Sequence, residues 1–307
     1  MPILRLATRK SILAVTQSTW VKDRLEVLNQ GLAVELVRIT TKGDRILDVP
    51  LAKIGGKGLF VKEIEEALLA GEADFAVHSL KDVPAEVPEG LEVSVFPERE
   101  DARDAFISRN GSALAALPTG SRVGTSSLRR MAQLRSHRPD LEIISLRGNL
   151  DTRLRKLDVG EFDAILLAAA GLKRLGLDGR VTEFLDPEVM LPAVGQGALA
   201  LEFRTDDPVT RGILLPLHHQ ETAVCVASER AFLSRLEGGC QVPIGAHAVL
   251  DGDSLRLSGF VANEDGTWVI RREKMGPVSS PETMGTALAD EILAEGGAEI
   301  LRSLYET

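Results

Sequence analysis

The chain of 307 residues holds only two cysteines, one tyrosine and 4% aromatic residues. Two thiols, Cys225 and Cys240, cannot build a disulfide scaffold. No apolar run approaches the roughly 20 residues that cross a bilayer, and no charged-then-apolar leader precedes the first strand-like segment, Ile3-Leu4-Arg5-Leu6-Ala7. The expectation is a cytoplasmic protein with reduced thiols and no membrane partner. The histidines are scattered except for His218-His219, and adjacent positions are a poor spacing for a shared metal, so none is expected. Scarce aromatics bear on nucleic acid too. The most basic stretch, Ser121 to Lys156, contains no Phe, Trp or Tyr, so it offers no stacking platform for single strands.

With 44% hydrophobic and 26% charged residues the chain can build the cores of two or three domains. Its net charge of −9 is uneven. Residues 1 to 180 carry 27 Lys and Arg against 25 Asp and Glu, whereas 181 to 307 carry 9 against 20. Ser121 to Lys156 alone has nine cations against three acids. Such a cluster is either a solvated face or a site for an anion, and the guanidinium fork favours carboxylates, with phosphate still open.

Periodicity organises the rest. Ile3–Ala7 reads as a strand, followed by a helix with Val21, Leu25 and Leu28 on one face and a strand from Ala33 to Ile39. A helix through Val61, Ile64 and Leu68 stops at Gly71, and strands follow at Phe75–Val77 and Leu91–Phe96. This is βαβ architecture. The charged stretch Pro97–Asp104 reads as a linker, after which strands near Val123, Ile143–Ile144 and Ala164–Leu167 alternate with helices from Leu128 and Leu150. A second crossing, Ala193–Ala198, returns the chain to the first domain through Leu199-Ala200-Leu201. From Glu221 the pattern is a helix, three strands joined by Asp-Gly turns and a closing helix from Pro281, a small α+β unit.

Three strand-to-helix junctions place cations at a helix start: Thr8-Arg9-Lys10-Ser11, Thr125-Ser126-Ser127-Leu128-Arg129-Arg130 and Arg147-Gly148-Asn149. A helix N-terminus is the positive end of the dipole, so arginine there is unfavourable unless an anion sits beside it. Ser, Thr and Asn in these loops can cap the helix or bind that anion. Asp82, in His78-Ser79-Leu80-Lys81-Asp82-Val83-Pro84, would emerge from the carboxyl end of a strand. It is either a proton donor and acceptor or half of a salt bridge with Lys81. Cys240, in Gly238-Gly239-Cys240-Gln241-Val242-Pro243, lies in a turn that no helix can absorb, and it is either reactive or inert on that information. Cys225 sits in an apolar helical stretch and reads as core. Gly55-Gly56-Lys57-Gly58 and Gly195-Gln196-Gly197-Ala198 match nucleotide motifs only partially, and no nucleotide is expected.

Taken in order, Thr8-Arg9-Lys10-Ser11, Gly56-Lys57-Gly58-Leu59-Phe60, His78 to Pro84, Gly124 to Arg130, Arg147-Gly148-Asn149, Gly195-Gln196-Gly197 and Gly238-Gly239-Cys240 resemble the porphobilinogen deaminase, or hydroxymethylbilane synthase, family over almost the full length. The resemblance implies two periplasmic-binding-protein-like (type II) α/β domains and a small C-terminal α+β domain. Their expected bounds are 1–97 with 195–216, 103–192, and 219–307. It implies a monomeric transferase of porphyrin and haem biosynthesis that joins four porphobilinogen molecules head to tail, releasing ammonia each time. The chain grows on a dipyrromethane cofactor held by a thioether to Cys240. By residue match Asp82 is the catalytic acid. Lys81, Ser127, Arg129, Arg130, Arg147 and Gly148 bind the cofactor, and Arg9, Ser11, Gln17, Phe60, Arg147, Arg153 and Arg174 bind substrate. Pyrrole acetates and propionates would explain the arginines. The rival expectation is a two-lobed anion-binding protein without chemistry, which has no use for Cys240.

Overall fold

A computed structural model describes residues 3–45, 58–237 and 242–305, and within them the chain divides into two compact units. Among the described residues the first comprises 3–45, 58–100 and 197–223, the second 101–196, 224–237 and 242–305.

The first unit is a five-stranded sheet ordered β2-β1-β3-β10-β4, with β1 (Ile3–Arg9), β2 (Ala33–Ile39), β3 (Phe75–Ser79), β4 (Leu91–Val95) and β10 (Leu199–Arg204). β1 runs parallel to β2 and β3, whereas β10 is antiparallel to β3 and β4. Phe75, Val77, Leu201 and Phe203 form a core on one face with Val21 and Leu25 of helix α1 (Ile12–Leu28) and Leu214 of α6 (Pro208–Leu214). Leu28, expected on that buried face, is 46% exposed at the frayed end of α1. On the other face Ala7, Ala76 and Leu91 pack with Ile64 and Leu68 of α2 (Lys62–Leu69). Gly71, at φ +69°, takes the left-handed conformation that ends this segment.

The second unit repeats the arrangement. Its sheet is ordered β7-β6-β8-β5-β9, from β5 (Asp104–Ser108), β6 (Arg122–Gly124), β7 (Glu142–Ile144), β8 (Ala164–Ala168) and β9 (Glu183–Phe184). β6 runs parallel to β7 and β8, and β5 is antiparallel to β8 and β9. In each sheet a parallel trio is thus closed by one antiparallel strand that follows a crossing of the chain between units. That pattern is the expected type II α/β architecture. β8 is an almost wholly buried apolar run, as a strand covered on both faces should be.

The same unit contains a three-stranded antiparallel sheet, β11 (Ile244–Asp251), β12 (Ser254–Ala262) and β13 (Val269–Pro277), packed on helices α7 (Gln220–Arg235) and α8 (Pro281–Ile292). Cys225 is buried in α7, in the core it was expected to join. One further expectation needs correction. Asp104 is not the end of a linker but the first residue of β5, and it is fully buried. The strand it begins was not legible beforehand because the charged run ahead of it looks solvated.

Candidate active site

The loops at the carboxyl ends of β1 and β3 bring together six of the expected residues of the first unit. Arg9 ends β1 and forms an ion pair with Asp44, while its guanidinium lies 4.3 Å from the centre of the Phe60 ring. Burial would raise the Asp44 carboxyl, but hydrogen bonds and charge from Arg9 and hydrogen bonds from Thr41 outweigh it and lower the group. Ser11 caps α1, its hydroxyl accepting from Ala14 N at 3.3 Å. One turn further along, buried Gln17 donates from Nε2 to Ser79 Oγ at 3.0 Å, tying α1 to the end of β3.

Beyond Ser79 the chain enters a 3-10 turn, Leu80–Asp82. Leu80 N donates to Ala198 O at 3.0 Å, extending the β3–β10 ladder by one bond, and Val83 N closes the turn on Leu80 O at 3.0 Å. Asp82 is half-buried, and its side chain makes no ion pair or hydrogen bond among the described residues. The alternative expectation, a salt bridge with Lys81, is therefore not what holds it. A carboxyl group so placed keeps its oxygens for a proton or a developing positive charge.

The second unit gathers its residues at the carboxyl ends of β6, β7 and β8. Ser127 caps α3 (Leu128–His137), with Arg130 N at 3.5 Å from its hydroxyl. Ser126 Oγ donates to Leu146 O at 2.8 Å, so the loop ahead of α3 is tied to the loop that carries Arg147. Gly148, at φ +113°, turns the chain into α4 (Leu150–Asp158), and a Cβ there would lie 2.7 Å from Thr152. Arg153 donates from Nε to the Gly148 carbonyl at 2.7 Å, and Arg174 ends α5 (Ala169–Arg174) half-buried.

Arg129 and Arg130 meet an anion of the protein's own. Arg129 Nη1 lies 2.6 Å and Arg130 Nη2 2.7 Å from the buried Asp104 carboxylate, and both arginines are 5% exposed. Carbonyls of Leu191 and Leu166 take further donors at 2.7 and 3.0 Å, and Gln196 Nε2 reaches Asp104 Oδ1 at 3.1 Å. Burial would raise the Asp104 carboxyl, yet the two guanidinium groups hold it well below the usual range. Burial, with the charge of Arg129, lowers Arg130 against the opposing effect of Asp104. The cationic helix start that seemed to require an external anion is thus balanced from β5. Each guanidinium has five N–H donors, of which three are used in these bonds, so capacity remains for a third acceptor.

The remaining arginines of the cluster are mostly committed inside the unit. Arg122 pairs with Asp163, Arg138 with Asp140, and Arg135 donates to the Glu264 carbonyl. Arg147 differs. It is half-buried, burial alone lowers its guanidinium, and it has no ion pair or hydrogen bond among the described residues. A partly desolvated cation, in a loop tied to Ser126 and followed by a glycine turn, fits a carboxylate-rich group such as a dipyrromethane. Asp44 and Asp104 escaped the sequence reading because their partners lie 35 and 25 residues away. Cys240, Gly56 and Lys57 lie outside the described residues.

A family model described as "Porphobilinogen deaminase, dipyromethane cofactor binding domain" matches residues 4–212, and one described as "Porphobilinogen deaminase, C-terminal domain" matches 223–294. The chain belongs to the porphobilinogen deaminase family. A curated porphobilinogen deaminase from Geobacter sulfurreducens is 57% identical over 303 residues, which span 99% of this chain and 95% of that protein. Among solved structures, the BenM effector binding domain is 14% identical at a TM-score of 0.45, covering 72% of this chain and 90% of its own. The methionine-binding protein MetQ is also 14% identical, at a TM-score of 0.44, with 74% and 94% covered. Membership of the porphobilinogen deaminases does not favour the rival reading as a binding protein without chemistry. Among the described residues no group of His, Cys, Asp and Glu is spaced to hold a metal ion, and no helix is long and apolar enough to cross a membrane.

Proposed function

We propose that this chain condenses four porphobilinogen molecules head to tail into hydroxymethylbilane, one ammonia leaving per step, with Asp82 as its acid–base group and Cys240 as the anchor of a dipyrromethane. The observation that carries the role of Asp82 is its place at the end of the β3–β10 ladder without a partner of its own among the described residues. A bound dipyrromethane would supply the terminal pyrrole ring to which each new ring is joined. Asp82 protonates the departing amine, balances positive charge on the pyrrole nitrogen, and takes up the α-proton after the new carbon–carbon bond forms. Arg147, Ser127 and Gly148 hold cofactor carboxylates, with Lys81 and the unused donors of Arg129 and Arg130. Arg9, Ser11, Gln17, Phe60, Arg153 and Arg174 belong to the substrate set, and Arg147 serves both. The enzyme works as a cytoplasmic monomer, with the three-domain division set out above.

Asp82→Asn separates chemistry from binding. It should fold, keep an adduct of two pyrrole units on Cys240, and lose at least ~100-fold in turnover, the low end of general acid–base contributions. Product formation measured beside intact mass is the test. Near-normal turnover by cofactor-loaded Asp82→Asn would remove Asp82 from the mechanism.

A further inference from the structure

Behind the Asp82 turn lies a buried polar cluster that the chemistry above does not use. In the β3–β10 ladder His78 stands opposite Ala200 and Ala76 opposite Glu202, so His78 and Glu202 are diagonal neighbours on one face of the sheet. His78 Nε2 lies 2.9 Å from Glu202 Oε2, with the two side chains 4% and 1% exposed. Glu65, from α2, is buried against the same face, where burial first and the charge of Glu202 second push its carboxyl up to about 7. The second oxygen of Glu202, Oε1, is buried without a hydrogen-bond partner. Burying such groups is costly, and an apolar set of similar volume is often neutral or stabilising, so stability gives no reason for the cluster.

Its position gives one. The ladder runs from Phe75 opposite Phe203 to Ser79 opposite Leu199, then adds the Leu80 N to Ala198 O bond, and the next residues are the turn that carries Asp82. Asp82 has no side-chain bond of its own among the described residues, so the strand pair below it sets where its carboxyl points. We propose that the His78–Glu202 pair, backed by Glu65, is a positioning device for Asp82: it locks β3 against β10 so that the turn presents the carboxyl in one place. This rests on the acid–base reading of Asp82. Besides His78 of β3 and Glu202 of β10, Glu65 faces Glu66 on its own helix. On the same side Arg5 of β1 and Arg204 of β10 are engaged with Asp74, and β4 contributes apolar Leu91.

The test uses cofactor-loaded enzyme. The double variant His78→Leu/Glu202→Leu removes the polar bond without leaving either of its partners as a lone buried charge. It should keep its melting temperature and its Cys240 adduct, hold KM within about twofold, and lose about tenfold or more in kcat, as misplacing a reacting group does. Glu202→Gln keeps an oxygen to accept from His78 and should stay within about threefold of the parent. In an Asp82→Asn background the double replacement should change the residual rate by less than about twofold, because it acts through Asp82. Should the double variant not fold, His78→Leu alone is compared with Glu202→Gln by the same readouts. Unchanged kcat, an equal loss in both backgrounds, or failure of Glu202→Gln to retain activity overturns the proposal alone. Normal turnover by Asp82→Asn overturns the acid–base reading and this proposal with it.

Discussion

Asp104 decides what Arg129 and Arg130 are. Two guanidinium groups share one fully buried carboxylate, and removing either leaves the other paired but takes donors away from Asp104 and from a backbone carbonyl in a dry site. Leaving a buried acceptor without its donor costs about 1–3 kcal/mol. Arg129→Leu and Arg130→Leu are therefore expected to lower the thermal midpoint, although each relieves a cation at the positive end of a helix dipole. Arg147→Leu is the contrast. Its guanidinium has no partner among the described residues, so at equal cofactor loading it should keep the parent melting temperature while losing turnover, and without cofactor it should melt no lower than Cys240→Ser. Calorimetry and intact mass on the three variants check both statements. The contrast was hidden in the sequence, where all three are arginines beside a small polar residue at the start of a helix. What distinguishes them is an acid in a strand 25 residues upstream of one of them.

At the scale of the element, α3 and α4 begin with different devices. Ser127 caps α3 through its hydroxyl, so Ser127→Ala should cost ~1 kcal/mol and Ser127→Asp much less. α4 has no side-chain cap and depends instead on Gly148 at φ +113°. Gly148→Ala meets both a left-handed backbone and a contact of 2.7 Å with Thr152. The local chain must move, and Arg147 moves with it. The expected outcome is a modest loss of stability with a larger loss of turnover; a variant with parent kinetics would show that Arg147 does not depend on that turn. The helices themselves were legible, because apolar spacing and capping residues are near neighbours in sequence. The antiparallel strands β5 and β10 were not legible as such, since no local pattern says that a strand after a crossing runs against its neighbours.

For the whole molecule, two sets of carboxyl groups act in separate pH windows. Glu65 has a folded pKa raised to about 7 from an ordinary 4.5, so the folded state binds its proton more tightly than the unfolded chain. The stability from that proton is fully present below pH 4.5 and is lost as pH rises to about 7, up to about 3 kcal/mol for this group. Asp44, Asp74 and Asp104 act oppositely: their folded values are lowered, so their contribution is present above about pH 4 and disappears on acidification. Glu65→Gln should flatten the fall in melting temperature between pH 4.5 and 7 and leave the acid limb unchanged. A parent-like slope in that window would place the neutral-pH titration elsewhere. Protein from a host that makes porphobilinogen should carry two pyrrole units on Cys240 and none on buried Cys225. Cys240→Ser, without that bound group, should melt lower, because a ligand held only by the native state stabilises it. Peptide mapping and calorimetry measure both.

The sequence by itself determined the alternation of strands and helices, the caps at Ser11 and Ser127, and the order of motifs that marks the family, because each is written in residues a few positions apart. Tertiary structure decided which charges are spent. Arg9 goes to Asp44, Arg129 and Arg130 to Asp104, and His78 to Glu202 across 124 residues, while Asp82 and Arg147 keep no partner among the described residues. A charge in a sequence has a sign but no neighbour. Strand order and register supply the neighbour, and with it the difference between a buried strut and a group left to meet a ligand.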